Sequence, residues 1–227
     1  MIEVEDLSFS YDKSAVLEGI NLSIHDHEFI GIFGPNGGGK TTFLKLLMGF
    51  IHPQKGKVRH PYKKIGYVPQ AATFDRQFPI TLEEAVLQGC LQTGLKWGFF
   101  TKGARQKTRE CLAKVGLQGF EKKPLGALSG GQIQRAFVAR ALVSDPDFLL
   151  LDEPTANIDR EAEGVIYEIL MGLKGKITIL MVTHNLQAVV GKVDRLLCIQ
   201  HTVSWFSPSE VCAHFSVGLY HSPLKLL

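Results

Sequence analysis

The stretch Gly34-Pro35-Asn36-Gly37-Gly38-Gly39-Lys40-Thr41-Thr42 constrains this chain more than any other. It fits the pattern G-x-x-x-x-G-K-[ST], and its flanks supply the context that the pattern requires. Phe29 to Phe33, before it, is a short apolar run of the kind shown by a strand buried on both faces; Thr42 to Leu47, after it, reads as a helix. Only residues without a Cβ let a loop fold so that successive N–H groups converge on one point. Such a point attracts anions, and the helix that follows adds roughly half a positive charge at its N-terminus. Lys40 can reach the terminal phosphates of a nucleotide, and the Thr41 hydroxyl is placed to ligate Mg²⁺. A glycine-rich turn that binds nothing needs neither this lysine nor this hydroxyl.

With 227 residues, 45% of them hydrophobic, the chain is long enough for one domain with a sizeable core and room for a subdomain. Its 25 Lys+Arg nearly balance its 22 Asp+Glu, and no basic tract stands out, so no nucleic-acid partner is expected. Cys90, Cys111, Cys198 and Cys212 form no C-x-x-C pair, and a reduced, cytosolic compartment is expected. The longest apolar runs, such as Ile177 to Val182, fall short of the roughly 20 residues of a spanning helix. The first residues, with Glu3, Glu5 and Asp6, do not resemble a signal peptide. Membrane association is therefore expected to come through a partner protein.

Ile2 to Val4, Leu7 to Tyr11 and Ile20 to Ile24 alternate apolar with polar residues, as half-exposed strands do, which predicts a small antiparallel layer. His25 and His27 flank Asp26, either as a metal-binding pair or as solvated turn residues. Tyr11 is either strand packing or a ring that stacks on a nucleotide base. Gly49 and Pro53 mark the end of the helix after the glycine loop, and Lys55-Gly56-Lys57 reads as a turn into another strand. Ile65 to Pro69 reads as a strand that leaves Gln70 in the following loop. Helical patterns then take over from about Ala71 to Leu142: Thr81 to Leu87 opens with an N-cap and early acids, and Gln106 to Val115 is amphipathic. Between them, Gly94 to Phe100 sets aromatic residues among glycines, as an exposed partner patch or a packed connection.

Leu128-Ser129-Gly130-Gly131-Gln132 opens a helix through Ile133, Phe137, Val138 and Ala141, so the chain carries a second helix N-terminus suited to anions. Phe148 to Leu151 reads as a buried parallel strand ending in Asp152-Glu153. Adjacent carboxylates there are costly unless ions or hydrogen bonds compensate them, and Mg²⁺ beside a phosphate loop would do so. Asp159 lies in the loop after Pro154 to Ile158, either as an N-cap for the helix through Val165, Ile166, Ile169 and Leu170 or as a functional loop residue. Ile177 to Val182 is another buried strand; it closes on Thr183-His184, where the histidine is either a structural corner or a catalytic group. After Asp194 one more strand-like pattern precedes a tail with little to interpret.

The glycine loop, the Leu128 to Gln132 segment and Phe148 to Glu153, in this order and at these separations, resemble the nucleotide-binding subunit of an ATP-binding cassette (ABC) transporter. The resemblance runs to about residue 200, and its LSGGQ segment is far more specific than the phosphate loop. No guanine-reading N-K-x-D motif occurs. The resemblance implies an α/β fold: a RecA-like phosphate-loop core with a small antiparallel β subdomain and an inserted helical subdomain. In that division residues 1–70 hold the β layer and the first part of the core, 71–142 the helical subdomain with the signature, and 143–227 the rest of the core and the tail. It further implies that Gly34 to Thr42 bind ATP and that Tyr11 stacks on adenine. Asp152, Thr41 and Gln70 would hold Mg²⁺, Glu153 would polarise the attacking water, and Gln70 would couple that water to the helical subdomain. His184 would contact the γ-phosphate, and Asp159 would lie in a loop that crosses the subunit boundary. Asn157 departs from the family loop, which often has a small apolar residue there.

In the family, the phosphate loop of one copy and Leu128 to Gln132 of another sandwich ATP across a two-fold axis, so an ATP-dependent homodimer with ATP and Mg²⁺ is expected. The expected role is the ATPase of an importer, peripheral on the cytoplasmic face of the membrane. It would dock on a separate permease through about Ala71 to Cys90, with an extracytoplasmic solute-binding protein as indirect partner. The stretch Phe74 to Thr81 is similar to zinc- and manganese-type uptake systems. The alternatives are a soluble ABC ATPase of iron–sulfur cluster assembly and an importer ATPase for iron-chelate or another solute.

Overall fold

In the computed structural model of the chain, residues 1–12, 14–70, 75–91, 94–96, 99–156 and 158–211 are described. The elements in chain order are β1 (Ile2–Tyr11), β2 (Ser14–Ile24), β3 (Phe29–Phe33), α1 (Lys40–Leu47), β4 (Lys55–Arg59), β5 (Ile65–Val68), α2 (Leu82–Leu87), β6 (Leu95–Lys96), β7 (Phe99–Phe100), α3 (Lys102–Lys114), α4 (Gly130–Leu142), β8 (Phe148–Asp152), α5 (Arg160–Leu173), β9 (Thr178–Val182), α6 (Leu186–Val189), β10 (Arg195–Gln200) and β11 (Thr202–Phe206). They fall into two compact units, Met1–Pro61 with the chain from Thr178 on, and Tyr62–Ile177. Ala71 to Phe74, Trp97, Gly98, Asn157 and Cys212 onwards lie outside the described residues.

In the first unit β2, β1 and β4 form an antiparallel sheet in that order. Its inner positions on β1 are Ile2 and Val4, then Leu7 and Phe9, so burial switches from even to odd numbers within one strand. An irregularity between Val4 and Leu7, with Asp6 at φ 45°, makes the switch. One extra residue in a strand shifts every later side chain to the other face. What the alternation suggests as two strands is therefore a single bulged one. Lys55-Gly56-Lys57, which reads as a turn, belongs to β4 instead and crosses that bulge. Gly56 permits the crossing, because a Cβ there would lie 2.2 Å from the Glu5 carbonyl oxygen.

The same unit holds a second sheet in the order β11-β10-β3-β9, in which β10, β3 and β9 are parallel and β11 is antiparallel. Strand β9 and the first four residues of β3 are buried, which is why both read as unbroken apolar runs. Helix α1 buries Phe43, Leu44, Leu46 and Leu47, and each such side chain contributes about 1.5–3 kcal/mol. It ends where the sequence predicts: Gly49, at φ 70°, donates to Leu46 O and Phe50 to Lys45 O. The segment after Asp194, read as one strand, is a hairpin of β10 and β11 turning at His201. Its start is anchored by Arg195, which pairs with Glu28 at 2.6 Å and lies 4.0 Å over the Trp205 ring.

In the second unit β5 and β8 are parallel, in register from Ile65↔Phe148 to Val68↔Leu151. Helix α4 is the hub; it packs on α2, α3, α5 and β5 and buries Ile133, Ala136, Phe137, Val138 and Ala141. Helices α2 and α4 both begin with reciprocal capping boxes, Thr81 with Glu84 and Ser129 with Gln132. The aromatic stretch is partly packed and partly open: Gly94 is buried, whereas Phe99 on the β6–β7 ribbon is 79% exposed. Among the described residues no helix is long and apolar enough to cross a membrane.

Candidate functional site

Parallel register decides what gathers in each unit. In the first, Ile32 pairs with Val182, and Gly34 and His184 lie two residues beyond that pair, at the carboxyl ends of β3 and β9. That end of a parallel sheet is where ligands of α/β folds bind. The Thr183 N–H donates to Ile32 O at 2.9 Å and ties the two ends together. Thr183 and Asn185 close the corner, since the Thr183 hydroxyl accepts from the Asn185 N–H and the Asn185 side chain accepts from the Ala188 N–H. His184 is exposed between them.

The glycine loop itself is shaped by what stands behind it. A Cβ on Gly34 would lie 2.1 Å from Ile199 O, and one on Gly38 2.7 Å from the same atom. Lys40 is 7% exposed, and its ammonium donates to Gly34 O and Pro35 O, both at 2.9 Å. Pro35, Asn36 and Gly37 are exposed, Thr41 is half-buried at the first turn of α1, and Thr42 is buried. Gly34→Ala is expected to cost about 2 kcal/mol or more in chemical denaturation, since φ is 143° there and the methyl has nowhere to go. An unchanged denaturation midpoint would show that the loop is not fixed against β10.

Tyr11 packs edge-on against Phe9, with centroids 4.9 Å apart, yet stays 47% exposed, so packing and an open ring face coexist. His25 and His27 lie in the turn between β2 and β3 and are exposed. Their backbone amides donate to Glu28 Oε2 and Thr178 Oγ1.

In the second unit Val68 pairs with Leu151, and Gln70 and Glu153 again lie two residues on. Gln70 Nε2 donates to Glu153 Oε2 at 2.8 Å. Glu153 has φ 50°, a left-handed conformation that costs a residue with a Cβ roughly 1 kcal/mol and turns the chain sharply after β8. Asp152 is buried at 1% exposure; burial first, and then its charge, push the Tyr67 phenol up to about 12. Within this unit Gln70 and Asp152 offer an amide and a carboxylate, hard oxygen donors of the kind Mg²⁺ takes. With Nε2 turned to Glu153, the Gln70 amide presents its oxygen as the donor for a cation.

Leu128 is buried, while Ser129 and Gly130 are exposed at the start of α4. The Ser129 hydroxyl accepts from the Gln132 N–H at 3.3 Å, and Gln132 Oε1 accepts from the Ser129 N–H at 3.0 Å. Gly131 is buried because α5 begins against it: a Cβ there would lie 3.1 Å from Ala162 Cβ and 3.3 Å from Asp159 Oδ2. Asp159 is the N-cap of α5, its Oδ1 accepting from the Ala162 N–H at 2.8 Å. Sequence reasoning finds Gly131 and Asp159 separately but not their contact, which depends on how α4 and α5 pack. A cleft of about 690 Å³ in this unit, lined by Lys107, Cys111, Leu142, Asp145, Ile169 and Lys176 among others, contains none of the expected site residues.

A lysine-capped phosphate loop on α1, a second glycine-opened helix and carboxylates at the end of a parallel strand define an ATP-binding protein of the phosphate-loop class. The ABC transporter family matches residues 17–156. The chain is 40% identical to the "Probable metal transport system ATP-binding protein" of Chlamydia trachomatis serovar D, over 88% of this chain and 89% of that protein. It is 36% identical to the zinc uptake system ATP-binding protein ZurA of Listeria monocytogenes, over 95% of this chain and 88% of that one. A dimeric ATP-binding cassette solved in a post-hydrolysis state with ADP and Pi superposes with a TM-score of 0.76 at 26% identity, covering 92% of this chain and 99% of that chain. The chain belongs to the ABC transporter family.

Proposed function

We propose that this chain is the ATP-hydrolysing subunit of a metal-uptake ABC transporter, with zinc or manganese as cargo. The observation that carries the catalytic part is the bond from Gln70 to Glu153, which holds a carboxylate at the end of β8 from the loop that leads into the helices of its unit. In this reading the Gly34 to Thr42 loop, through its backbone N–H groups at every position but Pro35, and the Lys40 ammonium bind the phosphates, and Tyr11 stacks on adenine. Thr41, Gln70 and Asp152 would hold Mg²⁺, which when bound offsets phosphate charge. Glu153 accepts the proton of the water whose oxygen bonds to the γ-phosphorus as the bond to the ADP oxygen breaks, and His184 donates to a γ-phosphate oxygen.

The exposed helix start at Ser129 and Gly130 would take the γ-phosphate of a nucleotide held by a second copy, so two ATP molecules join two copies, with Asp159 at the boundary. That a related cassette was solved as a dimer bound to ADP and Pi supports pairing of two copies. The names of the relatives favour metal uptake over cluster assembly or iron-chelate import. The partners would be a membrane permease contacted through residues 71–90 and, beyond it, a solute-binding protein. In this reading the subunit sits at the cytoplasmic face of the membrane.

Ser129→Arg is expected to leave ATP binding intact and to remove ATP-dependent dimers in light scattering, because the bulky cation fills the face that the partner's nucleotide needs. ATP-dependent dimerisation that survives the change would refute the sandwich. For the cargo, disruption of the coding sequence should lower cellular zinc or manganese accumulation; unchanged content of both metals would refute the assignment.

A further inference from the structure

We propose that His201 is a positioning residue for nucleotide binding, stapling the two backbone supports of the phosphate loop to each other. The inference deepens the proposed function and rests on it, since it concerns how that loop is held for ATP. One support is the end of β10, whose Ile199 carbonyl stands behind Gly34 and Gly38. The other is β2: a Cβ on Gly39 would lie 2.7 Å from Leu17 Cδ2 and 3.0 Å from Val16 O.

His201, at the turn of the β10–β11 hairpin, bonds to the loop and to β2. Its N–H donates to Gly38 O at 3.2 Å, its carbonyl accepts from the Glu18 N–H at 2.8 Å, and its Nδ1 lies 3.2 Å from Val16 O. A carbonyl oxygen only accepts, so Nδ1 carries the hydrogen. The left-handed backbone, φ 61°, aims these groups. Because a trans peptide sets C=O and N–H on opposite sides, pinning the Gly38 oxygen to the hairpin turns the Gly39 N–H away from it. Converging amides bind phosphate well only when their directions are fixed beforehand. The residue is exposed, so removing its ring exposes no core. That makes its effect on binding separable from its effect on stability.

The test uses the full chain and titration calorimetry with ADP. His201→Gly keeps the turn, since glycine adopts positive φ freely, and deletes the bond to Val16. It is expected to raise the Kd for ADP and the KM for ATP about fivefold, with kcat at saturation and the melting temperature unchanged. His201→Asn, which tolerates left-handed backbone and offers an amide donor, should restore affinity to within about twofold. In the wild type, ADP should slow hydrogen exchange at the His201 amide, a readout that needs no variant. Wild-type affinity in His201→Gly, a lower kcat with unchanged KM, no rescue by asparagine, or His201 exchange indifferent to ADP would each overturn the proposal. A wild-type chain that binds no ADP would instead overturn the ATP-binding function and this inference with it.

Discussion

Glu153→Gln is expected to lower ATP turnover by about 100-fold or more while ATP affinity stays near that of the wild type, because a positioned general base contributes about that much. The substitution isolates the charge. A glutamine at 153 keeps the length of the side chain and an oxygen to accept from Gln70 Nε2, which lies 2.8 Å from Glu153 Oε2. It also adds no bulk to a position already at φ 50°. Binding without hydrolysis should then trap the closed dimer, visible as a doubled mass on size exclusion with ATP. Steady-state phosphate release at the normal rate would remove Glu153 from the base role.

The second large effect is expected at Lys40. Its ammonium now sits on the carbonyls of Gly34 and Pro35, so it is already held in the loop and needs only to exchange these acceptors for phosphate oxygens. Lys40→Met keeps most of the buried stem and removes the charge. Charge-assisted hydrogen bonds contribute about 1.5–3 kcal/mol each, so a loss of at least about 100-fold in affinity for ATP is expected in calorimetry. Lys40→Arg should bind poorly as well, since a planar guanidinium does not fit a site shaped for the compact ammonium of a residue only 7% exposed. Undiminished ATP binding in the methionine variant would mean that the loop does not use its lysine.

The local chemistry was legible in the sequence because short-range rules govern it. Strand, glycine loop and helix follow from an apolar run, residues without Cβ and a helical pattern, and the caps at Thr81 and Asp159 follow from side chains that reach their own backbone. Where the rules compete, the sequence misled. Lys55-Gly56-Lys57 has turn composition, yet its glycine serves a strand that crosses the Asp6 bulge. The second strand of the C-terminal hairpin was missed because His201 takes a left-handed turn without the asparagine or glycine that normally signals one.

The sequence by itself determined that this chain carries a phosphate loop, a second anion-ready helix start and a pair of carboxylates after a buried strand, and hence the family to which it belongs. Only the tertiary structure decided which of these side chains meet. Gln70 faces Glu153 because β5 and β8 pair as Val68↔Leu151, and His184 stands at the same sheet end as Gly34 because β3 and β9 pair as Ile32↔Val182. Register between strands far apart in the chain is set by the packing of whole faces, and a shift of one residue would turn every one of these groups away.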